Sequence, residues 1–242
     1  LWSDLLTQAR AIGYVSGSEQ RLARAFLRLA APAEEVVGVG IDTPQEQAYP
    51  RHQQDPADDP ARDDEASTEV DERPVEYLTG RGIPFRRRHR LYGSFALYGG
   101  RVEPDNGCEE MLEYFDAYAA GDAHIDLVLM GAKMMKVPEA PYLRLAGMLP
   151  ARERMIAYEA ADVTLAPAGN DLLAQPVLES LAVGTPVLAA ATNDAAVEHV
   201  RRSNGGLYYA SRDEFVEALR LLTTNAPLRE KMGECGRNYV RQ

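Results

Sequence analysis

Residues 94–130 read SFALYGGRVEPDNGCEEMLEYFDAYAAGDAHIDLVLM, and the order of apolar and amphipathic segments in them indicates the fold class. An apolar run ends at two glycines, an amphipathic segment covers 107–121, and a second apolar run begins at 125. The apolar runs predict buried strands, and the segment between them predicts a helix. A strand–helix–strand unit of this kind predicts neighbouring parallel strands in an α/β sheet.

The same alternation continues to the C-terminus. Strands are predicted at 142–149, 162–167, 185–191 and 205–210, helices at 151–161, 176–182, 213–222 and 227–239, and a turn between the last two strands. The sequence therefore predicts an α/β fold with a doubly wound, mostly parallel, Rossmann-like sheet. Ligands of such sheets bind at the carboxyl ends of the strands, which directs attention to the loops after Leu97, Met130, Leu165 and Ala189.

A smaller piece precedes this alternation. AIGYVS (11–16) predicts a strand, a helix is predicted to begin near Ser18, and EEVVGVGID (34–42) has the pattern of a buried strand. Residues 75–82 predict a helix, and the basic run 86–90 follows it. We expect this run to compensate nearby acidic charge, with contact to an anionic membrane surface as the alternative.

The acidic charge is concentrated in one segment. The whole chain carries a net charge of −11; residues 42–73 hold 11 acidic residues against three arginines, a balance of −8, so the rest carries −3. This segment has almost no large apolar residue and is predicted to be a mobile loop. Its run PADDPARDDEAST (56–68) also raises the possibility of a metal-binding carboxylate cluster, but the loop offers no scaffold for one. The acidic balance argues against a nucleic-acid partner.

Other sequence features narrow the class of protein. The two cysteines, Cys108 and Cys235, form no disulfide framework or zinc motif, and the four histidines have no ligand spacing. We therefore expect reduced thiols, a cytoplasmic protein and no bound metal. There is no apolar run long enough to span a membrane. The start at Leu1, without a signal-peptide pattern, predicts a fragment or a processed product.

Two loops hold candidate binding residues. The first follows strand 94–101 and contains Gly100 and Arg101 just before a helix; backbone N–H groups and a guanidinium there suit a phosphate, although a plain turn has the same glycines. The second covers 170–179 and places Asp171 before a helix and Glu179 one turn inside it. A carboxylate in an apolar helix needs hydrogen-bond donors, and sugar hydroxyls would supply them; a solvent-facing Glu179 is the alternative.

Four stretches together resemble a known family. They are FALYGGRVEPDNGCEEMLEYF (95–115), YLRLAGMLPARERMIAYEAADVTLAP (142–167), LESLAVGTPVLAA (178–190) and RRSNGGLYY (201–209). Their order and spacing resemble the C-terminal, nucleotide-sugar-binding half of the retaining glycosyltransferases of family 4, which have the GT-B architecture. The resemblance covers about 140 residues, from Gly99 to Tyr239.

The resemblance assigns a role to each candidate residue. It implies that Glu179 binds the donor ribose, that Asp171 contacts the transferred sugar, and that Arg101, beside Gly100, binds the diphosphate. It places Leu149 against the nucleotide base and the backbone N–H groups near Ala174 and Gln175 on the β-phosphate. The family needs no cofactor or metal, and the donor phosphate is thought to take the acceptor proton on the face from which it leaves.

This sequence departs from the family pattern at three positions. Asn106 replaces a lysine that would be a second cation on the diphosphate, Asp171 replaces a glutamate, and Ala174 replaces a glycine or serine. Losing the lysine contact could cost about 1.5–3 kcal/mol. Asp171 reaches about one bond length less far, and the Cβ of Ala174 could crowd a phosphate.

The resemblance also implies how the chain is divided. Residues 1–31 would be the tail of an N-terminal acceptor domain, 32–43 an interdomain strand, 44–76 the acidic loop and 77–242 the donor-binding domain. The donor would be a UDP-, GDP- or ADP-sugar and the acceptor a saccharide, a lipid or a small molecule. Without the acceptor domain, the chain would bind the donor but not transfer the sugar. A degenerate nucleotide-sugar-binding module and a sugar-nucleotide epimerase remain as alternatives.

Overall fold

The computed structural model describes residues 12–14, 17–27, 34–37, 82–121, 125–169 and 173–242. Its strands are β1 Ile12–Tyr14, β2 Glu34–Val36, β3 Phe95–Gly99, β4 Asp126–Met130, β5 Leu143–Gly147, β6 Val163–Ala166, β7 Val187–Ala190 and β8 Gly206–Tyr209. Its α-helices are α1 Gly17–Leu27, α2 Ile83–Arg88, α3 Cys108–Ala119, α4 Ala151–Ala160, α5 Gln175–Val183, α6 Asp194–Ser203, α7 Arg212–Thr224 and α8 Ala226–Val240. A 3₁₀ turn, Pro104–Asn106, precedes α3.

Six strands form one parallel sheet in the order β5-β4-β3-β6-β7-β8. The order reverses between β3 and β6, because the chain proceeds outward from β3 in one direction and then from β6 in the other. Helices cover both faces, so the doubly wound α/β prediction is confirmed. In such a sheet, the carboxyl ends of the two strands at the reversal form the ligand crevice.

Successive side chains of β3 pack against helices on opposite faces of the sheet. Phe95 and Leu97 pack with Tyr158 of α4 on one face, whereas Ala96 and Tyr98 pack with α3 on the other. All five residues of the strand are buried, as expected for a central parallel strand covered by helices on both sides. This packing fixes the end of β3, from which the loop to α3 departs.

The N-terminal strands form a separate small sheet. β1 pairs in parallel with β2, Ile12 opposite Glu34, and the N–H of Val37 donates to the carbonyl of Tyr14 at 2.8 Å. Helix α1 lies against α6 through an Arg21–Glu198 ion pair of 3.4 Å. The acidic loop predicted at 44–76 and the helix predicted over 75–82 lie outside the described residues, except Gly82, which precedes α2. The predicted division into segments stays a prediction.

The turn predicted between the last two strands is wrong. A ten-residue helix, α6, occupies that position. Asn193 caps it: the side-chain oxygen accepts from the N–H of Ala196 at 3.1 Å. Residues 195, 196, 197 and 200 are buried on one face of the helix. Their helical spacing and the preceding Asn are a start signal that the sequence already contained.

The expected surface role of the basic run is also corrected in part. Arg86 is buried, and its guanidinium donates to the carbonyls of Gly93 at 2.7 Å and Ala160 at 2.6 Å and pairs with Asp162 at 3.5 Å. Burial lowers the pKa of Arg86, while Asp162 opposes that shift. Arg86 therefore ties α2 to the amino-terminal end of the sheet rather than balancing a loop.

Candidate functional site

A cavity of about 420 Å³ opens at the carboxyl ends of β3 and β6. Its walls come from the end of β3 and the loop after it, the end of β6 and the start of α5, with Asn193 on the far side. The volume lies within the usual range for small-molecule sites, about 300–1,000 Å³. The cavity therefore sits where the strand order predicts a ligand crevice.

The loop from β3 to α3 holds a cation at the cavity. Arg101 is 70% exposed and pairs with the carboxylate of Glu103 at 3.0 Å. The buried hydroxyl of Tyr98 donates to the carbonyl of Arg101 at 2.8 Å, which anchors the base of the loop. Burial raises the pKa of Tyr98, so the hydroxyl stays protonated and remains a donor. The backbone of this loop is thus held in place, while the guanidinium is solvent-exposed and paired with Glu103.

Asn106 also lines the cavity, but its side-chain amide forms hydrogen bonds within the loop. The Nδ2 group donates to the carbonyl of Arg101 at 3.0 Å and to Glu103 Oε1 at 3.1 Å. These two bonds fold the 3₁₀ turn back onto the strand end. With Asn106 and Arg101 both directed to it, the Glu103 carboxylate is a negative group at the wall of the cavity.

The opposite wall is the start of α5. Helix α5 begins at Gln175 after Ala174, which is buried and adopts a left-handed backbone conformation with φ of 45°. The first N–H groups of a helix lack acceptors inside the helix, and the helix dipole places positive potential there. Asp171, predicted to contact the transferred sugar, lies outside the described residues.

Glu179 lies on α5 in contact with α4, and it is buried at 6% exposure. Arg154 donates two hydrogen bonds to its carboxylate, from Nε to Oε2 at 2.8 Å and from Nη2 to Oε1 at 2.6 Å. Gln175 Nε2 adds a third bond to Oε1 at 3.1 Å. The hydrogen bond to Glu179 raises the pKa of the Arg154 guanidinium. The solvent-facing alternative for Glu179 is therefore wrong.

Residues 84–239 match the family described as glycosyl transferases group 1. The chain belongs to this family. The match begins in α2 and ends in α8, so it includes the whole six-stranded sheet and both walls of the cavity.

Known glycosyltransferases of this kind are similar over parts of their length. A D-inositol 3-phosphate glycosyltransferase of Corynebacterium aurimucosum is 31% identical over 94 residues, which are 38% of this chain and 22% of that protein. The chain thus matches about a fifth of the length of this curated relative.

Solved structures share the fold at low identity. The structure of Anabaena HepE with UDP and glucose has a TM-score of 0.71 at 13% identity, covering 99% of this chain and 61% of HepE. Sucrose-phosphate synthase from Thermosynechococcus elongatus has a TM-score of 0.69 at 16% identity, covering 99% and 55%. The C-terminal domain of LpcC from Francisella tularensis has a TM-score of 0.56 at 16% identity, covering 70% of this chain and 96% of that domain.

The structure brings four of the predicted site residues of this group 1 chain together. Lining the cavity are Gly100, Arg101, Asn106 and Ala174. Gln175 and Glu179 lie on α5 but do not line the cavity. Leu149 is half-buried just before α4, packed against the core with Ala157 and Tyr158. Their assigned ligand contacts stay predictions.

Sequence reasoning missed three residues that shape this region: Glu103, Arg154 and Asn193. Glu103 could have been suspected from its position in the loop beside Arg101. Asn193 gave the cap signal described above; it also donates to the carbonyl of Pro167 at 2.9 Å, linking α6 to the end of β6. Arg154 gave no local signal, because its partner Glu179 is 25 residues away.

The described residues contain neither a cluster of metal ligands nor a helix that could span a membrane. No group of three or more His, Cys, Asp or Glu side chains within those ranges could hold a metal ion. In the same part of the chain, no helix has the length and apolar character to cross a bilayer.

Replacing Ala174 with glycine tests the strain at the start of α5. A left-handed backbone costs a non-glycine residue about 1–2 kcal/mol, which offsets the loss of a buried methyl group and the added freedom of glycine. We expect Ala174→Gly to leave the free energy of unfolding within about 0.5 kcal/mol of the native chain. Ala196→Gly, at an equally buried position of α6 with no left-handed strain, should lose about 1–2 kcal/mol. Urea unfolding measures both; equal losses would contradict the strain.

Proposed function

We propose that this chain is the donor-binding domain of a retaining, metal-independent glycosyltransferase that uses a nucleoside-diphosphate sugar. The observation that carries the proposal is the cavity between Arg101 and the start of α5, at the reversal of the strand order. A guanidinium on one wall and a helix N-terminus on the other suit the two negative phosphates of such a donor.

Each wall has a role in the proposed transfer. As the bond between sugar and diphosphate breaks, negative charge grows on the leaving phosphate, and fixed positive groups stabilise it. Arg101 and the N–H of Gln175 would do this, so the reaction needs no metal at the phosphate. In our proposal the same phosphate takes the proton of the acceptor hydroxyl, and the acceptor oxygen bonds the sugar carbon on the face that the diphosphate leaves, so the configuration at that carbon is retained.

The assignment of the remaining residues follows the same proposal. Glu179 would accept hydrogen bonds from the ribose, Asp171 would contact the sugar and Leu149 would lie against the base. Residues 1–31 and 32–43 would belong to the tail of an acceptor domain and to the connection between domains. The acceptor, a saccharide, a lipid or a small molecule, would then be held mainly outside this chain.

Thermal unfolding with nucleotides tests the proposal. UDP, GDP, ADP and their sugars are each added at increasing concentration, with uridine as a ligand that lacks phosphate. A ligand present at 100 times its Kd should stabilise the fold by about 2.7 kcal/mol, which raises Tm visibly. A rise with one diphosphate and its sugar supports the proposal; no rise with any of them at millimolar concentration contradicts it.

A non-catalytic nucleotide-sugar-binding module is the second candidate. The observation that favours it is Glu103, a carboxylate at the cavity wall that engages Arg101 at 3.0 Å and Asn106 at 3.1 Å. A negative group beside a diphosphate weakens its binding, and the site holds no second cation on this loop. Such a module would bind a donor weakly and leave it intact, so incubating UDP-glucose with the full-length protein and measuring released UDP separates the two.

Asn106→Lys restores a cation on the loop. The new ammonium group would lie beside Glu103, neutralise it and leave Arg101 free for phosphate. We expect UDP to bind about tenfold more tightly at low salt, a gain of about 1.4 kcal/mol. Calorimetric titration measures the change, and Gln242→Lys, which adds the same charge at the exposed C-terminal residue, should have no effect. Unchanged affinity in Asn106→Lys would mean that this loop does not meet the diphosphate.

A further inference from the structure

The carboxylate of Glu179 is already occupied in this structure. Both of its oxygens accept from the forked guanidinium of Arg154, at 2.8 and 2.6 Å, and Oε1 accepts again from Gln175 at 3.1 Å. A carboxylate offers about four acceptor positions in all. Three of them are filled by this chain's own side chains.

The direction from which the Arg154 guanidinium approaches Glu179 matters more than the number of hydrogen bonds. A guanidinium that bonds both oxygens occupies the open edge of the carboxylate. Two neighbouring hydroxyls, such as those of a ribose, would use the same edge to bond both oxygens. The fork and the diol therefore exclude each other on Glu179.

Arg154 and Glu179 differ in their exposure to solvent. The side chain of Arg154 is 32% exposed, whereas that of Glu179 is 7% exposed. Arg154 lies in the first turn of α4, so its long side chain is on the solvent side of the pair and can turn into water. Glu179, on a buried face of α5, has no such freedom, so a ligand that bonds both of its oxygens must displace the guanidinium of Arg154.

We propose that Arg154 is a specificity-determining residue that covers Glu179 and reduces how strongly the donor site depends on the ribose hydroxyls. The proposal rests on the proposed function, because it takes Glu179 as the ribose acceptor. Binding a ribose at Glu179 exchanges the fork of Arg154 for the bonds of the diol, and the gain is largely offset. The native chain should therefore bind a nucleotide and its dideoxy analogue with similar affinity.

Removing the Arg154 guanidinium should make nucleotide binding depend on the ribose hydroxyls. In Arg154→Met, a side chain of similar length keeps the packing and leaves the carboxylate edge open. The probes are UDP and 2′,3′-dideoxy-UDP, with the GDP and ADP pairs tested alongside, by calorimetric titration. We expect the native Kd ratio of dideoxy-UDP to UDP to stay below about threefold, and the ratio in Arg154→Met to be at least about tenfold larger than the native one.

Three further variants make the result specific. Arg152→Met removes an exposed guanidinium from the same turn of α4 and should keep the native ratio. The double variant Arg154→Met with Glu179→Gln should also return to the native ratio, because the charged acceptor is gone. Arg154→Lys bonds one oxygen rather than two, so it should give an intermediate ratio, and it serves as the test if Arg154→Met fails to fold.

The outcomes separate this inference from the proposed function. UDP binding with an unchanged or smaller ratio in Arg154→Met and Arg154→Lys would overturn the role of Arg154 and leave the donor site intact. A large ratio in the native chain that falls in the variants would also overturn it, since Arg154 would then orient Glu179 for the ribose. No nucleotide binding by the native chain or any variant would overturn the proposed function and this inference with it.

Discussion

Gly107→Ala is expected to lower the free energy of unfolding by about 2–3 kcal/mol, near the upper end for single substitutions. Gly107 joins the 3₁₀ turn to α3 with a φ of 68°, a conformation that suits glycine. A Cβ at this position would also overlap the carbonyl oxygen of Ala168, which follows β6. The close approach holds the two loops of the cavity together, so nucleotide binding should weaken as well.

Two other glycines distinguish backbone strain from steric overlap as causes of the lower free energy of unfolding. Gly147 has the same φ of 68° with open space around a Cβ, so Gly147→Ala should lose only about 1 kcal/mol from backbone strain. Gly93 has neither feature, and Gly93→Ala should stay within about 0.5 kcal/mol of the native chain. Urea unfolding of all three measures the ranking. Equal losses at 107 and 147 would contradict the close approach of the loops.

Arg101→Met is expected to weaken UDP binding about 10- to 40-fold. A charge-assisted bond to a phosphate contributes about 1.5–3 kcal/mol, and the exposure of Arg101 places the result toward the lower half of that range. The same variant should leave the weak binding of uridine unchanged, because uridine has no phosphate. Calorimetric titration at two salt concentrations measures both, and the difference between native chain and variant should shrink at high salt.

Arg87→Met is the matched control for this prediction. Arg87 is exposed on α2 and does not line the cavity, so its removal changes the net charge equally without touching the site. The control should bind UDP as the native chain does. Equal weakening in both variants would indicate a general charge effect and contradict a diphosphate contact at Arg101.

Most of the sheet could be predicted from the sequence because its signals are local. The strands β3 and β4 are continuous apolar runs, and helix α3 between them has a clear amphipathic pattern. The errors fell where the signal was weaker or depended on distant residues. Helix α6 was missed because its polar ends resemble a turn, and the burial of Arg86 was missed because its partner, Asp162, is 76 residues away.

The candidate site was only partly predictable for the same reason. The location at the ends of β3 and β6 follows from the strand order, and the cavity is there. The burial of Glu179 was suggested by its apolar neighbours, but its engagement by Arg154 depends on how α4 packs beside α5. Packing between helices brings together residues that no local pattern relates. The role of Arg154 therefore became visible only in three dimensions.

The most direct test of the account is a crystal structure of this chain grown with UDP. We expect the diphosphate in the cavity, with a phosphate oxygen within about 3.2 Å of the Arg101 guanidinium and another at the N–H of Gln175. A well-defined UDP molecule bound elsewhere on the chain, with this cavity holding only water, would contradict it.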